Sequence, residues 1–424
     1  VMLTRSRLIA LCLVLVMAFS GALATAQEGD PILIGASLPL TGGFSIPGSK
    51  HMEGYELCVD HLNETGGLLG RPVEIIIGDN RSDVDQAIAQ YERLINEDNV
   101  DLIFGTFSSR LTFPVSAIAE QNEMVFPIPA AGALGIYEQG FEYLFYFQQN
   151  AGEFIGDSPV EVMQELVGAD SEDYPATAAV VHADDFFANA IAAGLTGSEE
   201  LGEGLLVESG IELVLEEEWP GEGFTDWLGL ANQIRRSEAD ILFGLTASPE
   251  EVIQIVRALQ TVNYQPKAAY FSQGTQIEVL EGVGAEGTNG VLVHSSWHPN
   301  ADFVGDFNGE DFSNSDFVDL YMEAYDGQAP DEDVAIPFSL CMGMIQAVNA
   351  TGGTDNALLR EWFATRTAEE PTRTILGDFY WDERGLTLDR AFLMLQWQDE
   401  ELNLIYPVGE FPGTTDLIHP KPEW

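Results

Sequence analysis

Apolar and polar residues follow two rhythms that alternate along this chain. Short apolar runs rich in β-branched residues, at 32–38, 73–78, 100–104 and 124–128, read as strands covered on both faces. Between them lie stretches with apolar residues at helical spacing. Residues 49–63 carry Met52, Tyr55, Leu57, Cys58 and Leu62, and residues 85–97 carry Ala87, Ile88, Tyr91, Leu94 and Ile95. The segment from Phe113 to Glu120 continues the pattern, and all three predict helices. Alternating strands and helices define an α/β domain with a parallel sheet. Two of the strands end in turns without bulk, 105–109 and 129–132. Ligands of such sheets bind beyond the carboxyl ends of the strands, where small residues leave backbone N–H groups bare. Ser108 and Ser109 add hydroxyls there, at a position where serine also serves as a helix cap.

Residues 141–150, aromatic and uncharged after Glu142, predict a strand leading out of this domain. A second alternating series follows. Helices are expected at 158–166, from 188 onward, at 225–237 and at 250–261, with strands at 177–182, 211–216, 241–245 and 268–272. The pattern resumes with a strand at 290–293 and helices at 315–325 and 336–350, and closes with two strands at 377–381 and 391–398. Two similar series in succession predict two lobes of like architecture.

The amino terminus changes the expected location. Arg5 and Arg7 precede the apolar run 8–19 and the small residues Ala24-Thr25-Ala26, the signature of a secretory signal cleaved after Ala26. The mature chain is then soluble and exported, periplasmic or secreted. Its charge is extreme: 69 acidic residues stand against 17 basic ones, for a net −52. This disfavours nucleic acid and anionic membranes as partners. With 46% hydrophobic residues the chain still has the material for a core, so the carboxylates are expected to form a solvated face suited to a saline exterior. Adjacent acids such as Asp184-Asp185 are read the same way. Cys58 and Cys341 are far apart in sequence; two separate buried thiols are the default expectation, and a disulfide forms only if the fold brings them together.

Several segments, taken in order, resemble a known family. ILIGASLPLTG, NETGGLLGRPVEI, VDLIFGTFSS and PIPAAG, then VVHADDFF, ADILFGLTASPEE, YFSQGTQ and ILGDFYWDERG, are similar to the exported solute-binding proteins of branched-chain amino acid importers, type I periplasmic binding proteins. The resemblance implies two Rossmann-like lobes joined by three hinge crossovers near Gln148, Gln273 and Leu376. One lobe then takes 27–148 and 274–376, the other 149–273 and 377–424. It further implies a protein that closes on a small ligand and is recognised by an ABC permease in the membrane, with no cofactor and no catalysis; a monomer is the default expectation. Carried over by position, Ser109 meets the ligand carboxylate, Ala130 and Gly132 meet its head group, and Phe187 and Ala247 stand at tyrosine positions. Gln273 stands at the position of a glutamate that pairs with the ligand amine, and supplies only a neutral carbonyl. An amino acid, or a related amide or carboxylate, is the expected solute. Trp297, just after a strand, is a further candidate cover for the ligand.

Other apparent motifs lack context. The G-x-G-x-x-G at 282–287 follows helix-like residues and precedes a strand, the reverse of a dinucleotide site, and reads as a loop. His294 and His298 lack a third metal ligand, and 306–311 lacks the glycine of a calcium loop. Two rival readings share the cleft. One is a ligand-sensing subunit for a membrane receptor. The other is an amide hydrolase with Ser109 as nucleophile and His182 as base, which requires the two side chains within hydrogen-bond reach.

Overall fold

The computed structural model describes residues 29–390 and 392–424; the expected signal segment lies outside the described residues. The first lobe opens with Ile32–Leu38, a strand with almost every residue buried. It pairs in parallel with Val73–Asp79 on one side and Leu102–Ile103 on the other. A separate two-stranded sheet follows, in which Phe126–Ile128 pairs in parallel with Leu144–Tyr146. Residues 141–150 therefore do more than lead out of the domain, because they contribute a strand to it.

The main sheet of the second lobe has seven strands. Running across the sheet, they are Glu401–Tyr406, Leu393–Gln398, Val291–Ser295, Ala268–Phe271, Ile241–Leu245, Thr177–Asp184 and Glu212–Pro220. This order corrects the expected lobe boundaries. Val291–Ser295 adds in parallel to Ala268–Phe271, so the chain stays in the second lobe past Gln273 and leaves only near Ser296. Thr372–Thr374 and Gly377–Phe379 pair with each other, and Phe379 and Trp381 lie in the first lobe's core, so the last crossover falls after Leu376 as well. The two closing strands, both expected in the second lobe, belong to different lobes. The physical reason is that Val291–Ser295 is buried along its length and needs a partner on each edge, which Ala268–Phe271 and Leu393–Gln398 supply.

The three passes between the lobes run side by side. Ser296 accepts a hydrogen bond from the Gln149 amide at 3.0 Å. The Trp381 indole and the Thr387 hydroxyl both donate to the Tyr146 carbonyl. Each pass is thus held to another by hydrogen bonds near a pivot.

Most of the first lobe's core surrounds Glu332–Thr351, an apolar helix buried along most of its length. It lies close against Ser45–Glu64. A Cβ at Gly54 would sit 2.4 Å from the Val334 carbonyl oxygen, so glycine is what permits the approach. The same pair of helices brings Cys58 and Cys341 together in a disulfide. The expectation of separate thiols is therefore overturned, because helix packing closes the distance that sequence separation conceals. A second correction concerns the glycine-rich segment at 282–287. It lies in a helix, Ile277–Thr288, broken at Gly284, whose φ of 76° suits glycine.

Candidate functional site

The helix Ser109–Gln121 begins directly after the strand-end turn of the first lobe, with Ser108 at its N-cap position. Its first intrahelical bond runs from Thr112 N–H to the Ser108 carbonyl, leaving the N–H groups of Ser109, Arg110 and Leu111 at the helix mouth. The Ser108 side chain does not cap; its Oγ is buried and has no hydrogen-bond partner among the described residues. Ser109 Oγ accepts from Ala133 N–H at 3.3 Å and so ties the two small-residue turns together. An isolated parallel bridge between Phe107 and Ala130 aligns those turns.

These turns form one wall of a small cavity between the lobes. Ser109, Ala130, Gly132, Phe187, Ala247 and Gln273 all line it, in company with Phe107, Ser108, Ala131, Gln148, His294, Glu332 and Asp333. Phe44, Phe107, Leu111 and Ala247 pack as an apolar cluster with Ala130 and Phe187 against it, spanning the two lobes. Further out, Phe113 of the first lobe meets Phe186 of the second edge to face, and Arg110 pairs with Glu222. The lobes are closed on one another.

Trp297 is not part of this wall. It is 2% exposed in the first lobe's core, packed on Phe317 with its indole N–H bonded to Asn314. A large apolar ring just beyond the hinge is more stable buried in that core than facing a polar cavity.

Three ionisable lining residues were given no ligand role from the sequence, and two of them are acids. Asp331-Glu332-Asp333 opens the helix Glu332–Thr351, with Asp331 as the capping residue accepting from Val334 N–H. The expected start at Ile336 was too late, and these acids are not part of a solvated face. Glu332 accepts from the Thr275 hydroxyl at 3.0 Å, the Ser295 hydroxyl at 3.0 Å and the Ser296 N–H at 2.9 Å. Asp333, 4% exposed, accepts from the Gln276 amide at 2.7 Å, and that amide also donates to Gln273. Burial pushes both carboxyls well above their ordinary range, and the neighbouring acids push further. Burial opposes the charge on Lys50, but Asp331, Glu53 and Glu278 outweigh it and hold that ammonium's pKa above its usual value. The legible signal was a capping Asp followed by two acids ahead of a long apolar run, the mark of a helix start. His294, the third, has its Nδ1 2.7 Å from the Tyr270 hydroxyl, and burial lowers its pKa to about 3, so it lines the cavity as a neutral ring.

His182 does not line the cavity; its Nδ1 lies 3.2 Å from the Ala183 carbonyl. Among the described residues no hydrogen bond joins Ser109 to His182, so the pair the hydrolase reading requires is not assembled.

Two α/β lobes closed over a small polar cavity, with three chain passes at the pivot, define a protein that traps a small molecule between its halves. Residues 31–401 match the family model described as periplasmic binding protein, and the chain belongs to that family. Its fold is that of the type I members, which bind solutes and are not enzymes. Among curated relatives, "Leu/Ile/Val-binding protein homolog 7" of Brucella suis biovar 1 (strain 1330) is 26% identical over 403 residues, covering 90% of this chain and 93% of the relative. "Leu/Ile/Val-binding protein homolog 1" of Brucella abortus (strain 2308) is 24% identical over 375 residues, covering 87% and 90%. Among solved structures, the branched-chain amino acid transporter substrate binding protein LivJ from Streptococcus pneumoniae, in complex with isoleucine, superposes with a TM-score of 0.73 at 19% identity, covering 88% of this chain and 98% of that one. A solute binding protein from R. palustris, in complex with benzoate, reaches 0.73 at 16% identity, covering 89% and 96%.

Proposed function

We propose that this chain captures a small zwitterion, an α-amino acid or a close relative, by hinge closure outside the cell and presents it to an ABC permease. One observation carries the reading: the cavity is lined by two chemically opposite sets of groups. The buried Ser108 hydroxyl and the first turn of the Ser109 helix form an anion-binding set. Glu332 and Asp333 form the other, where burial leaves the carboxylates short of positive charge. A carboxylate and an ammonium on one small molecule satisfy both. Gln273, neutral where the resembling family keeps a glutamate, then needs no charge of its own, because the acids arrive from a different helix. Homologues named for leucine, isoleucine and valine, and neighbours solved with isoleucine or benzoate, support a small organic solute.

Thermal shift with a panel of α-amino acids, each alongside its desamino acid and its decarboxylated amine, tests the reading. Zwitterions are expected to raise the melting point, since a ligand at one hundred times its Kd adds about 2.7 kcal/mol of stability. A desamino acid that binds as well as its parent amino acid would sink the assignment. Uptake of the bound solute into vesicles carrying the cognate permease tests the transport step.

A further inference from the structure

The mouth of the cleft holds a second space of about 830 Å³, bounded by both lobes. Ala247 lines this space and the inner cavity alike, so a single methyl group forms part of the partition between them. Five carboxylates face the outer space, against the guanidinium groups of Arg81 and Arg110. Glu250 is exposed to solvent, and three of the other four are engaged by partners elsewhere. Asp83 caps a helix through Gln86 N–H, Glu222 takes Arg110 from across the cleft, and Glu251 accepts from the Thr246 hydroxyl and the Trp219 indole.

Asp185 is different. It is 7% exposed, and its Oδ1 accepts from Phe187 N–H at the start of a helix. Its Oδ2 is buried and has no hydrogen-bond partner among the described residues. A buried carboxylate oxygen without a donor is unfavourable, and a charged donor offsets most of that cost. Phe224 and Trp227, edge to face at 4.7 Å, wall the same space and offer aromatic surface to a cation.

We propose that the outer space is a second subsite, and that the solute is an α-amino acid whose unbranched side chain passes Ala247 and ends in an ammonium or guanidinium group paired with Asp185. The ligand class is thus lysine- or arginine-like. This rests on reading the inner cavity as the site of the α-amino and α-carboxylate groups.

Calorimetry on the full mature chain with L-lysine, L-norleucine and Nε-acetyl-L-lysine tests it. Norleucine has lysine's carbon chain without the terminal ammonium, and the acetylated form keeps the length without the charge. Lysine is expected to bind about tenfold or more tighter than either, the scale of a charge-assisted hydrogen bond. Asp185→Asn keeps the helix cap, because asparagine caps as well as aspartate. In that variant lysine is expected to fall to the level of norleucine, whose own affinity stays unchanged. Equal binding of lysine and norleucine by the wild type, or a lysine preference that survives Asp185→Asn, leaves Asp185 a helix cap only and overturns the subsite while sparing the inner site. Failure of every α-amino acid to bind overturns the inner-site reading and this proposal together.

Discussion

Of the three runs of three acids in this chain, two, Glu216-Glu217-Glu218 and Asp331-Glu332-Asp333, are nearly alike in composition and opposite in surroundings. The first lies on Glu212–Pro220, the edge strand of the second lobe's sheet, with its flanking glutamates exposed. An edge strand presents unpaired backbone groups, and charge on it discourages pairing with another chain. The second run opens a core helix at the hinge, where its carboxylates accept hydrogen bonds from the other lobe. What differs is the element each run starts or belongs to. Three acids on an edge strand remain in water, whereas three acids at a helix N-terminus face the partial positive charge of its free N–H groups and tolerate burial.

The largest expected break in this contrast is Glu332→Ala. It strands the Thr275 and Ser295 hydroxyls and the Ser296 N–H, each costing roughly 1–3 kcal/mol when buried unpaired. A loss of about 3 kcal/mol in denaturant unfolding, with loss of ligand binding, is expected. Glu332→Gln separates the two effects: it keeps the shape and much of the bonding, so stability is expected to hold while affinity for an amine ligand falls about tenfold or more. Unchanged affinity in Glu332→Gln would remove the charge from the binding account.

A smaller effect is expected from pH. Glu332 and Asp333 have folded pKa values raised above their unfolded values, so the folded state binds more protons between the two. Their contribution to stability is therefore fully present below the ordinary carboxylate value of ~4 and is lost as pH rises toward about 7. Ligand-free melting points measured across this range should carry a component that falls with rising pH and is flattened in Glu332→Gln. A bound ammonium restores the balance at neutral pH, so the melting-point gain on binding should increase from pH 5 to pH 8. A gain independent of pH would contradict the pairing.

The smallest effect belongs to the edge strand. Replacing Glu216, Glu217 and Glu218 together by glutamine is expected to change stability by no more than about 0.5 kcal/mol at moderate salt. In the wild type, with its net charge of −52, melting points should rise from low to molar salt as self-repulsion is screened. A flat or falling trend would argue against adaptation to a saline exterior.

Much of the first lobe was legible because its strands are unbroken apolar runs and its turns are marked by glycine and proline. The strand Ile32–Leu38 matches its expected bounds, and six of the seven expected site residues line one cavity. What escaped was set by partners distant in sequence. Val291–Ser295 looks the same whichever sheet it joins, and only its neighbours Ala268–Phe271 and Leu393–Gln398 decide its lobe. Trp297 had the right place in the chain and the wrong side to face. The acids at 331–333 were read by their polarity alone, although their position ahead of the apolar run from Val334 to Val348 marked a helix start.

The interleaving of the lobes has a consequence for biosynthesis. The second lobe's sheet is completed by Leu393–Gln398 and Glu401–Tyr406, which are translated after nearly all of the first lobe. The first lobe in turn waits for the long core helix and the disulfide partner at Cys341. A nascent chain stopped near residue 300 would therefore hold an unfinished second-lobe sheet and a first lobe still without its core helix, instead of one finished half. Neither half is a module that the ribosome can release early, and the binding cleft is assembled only when the last strands arrive.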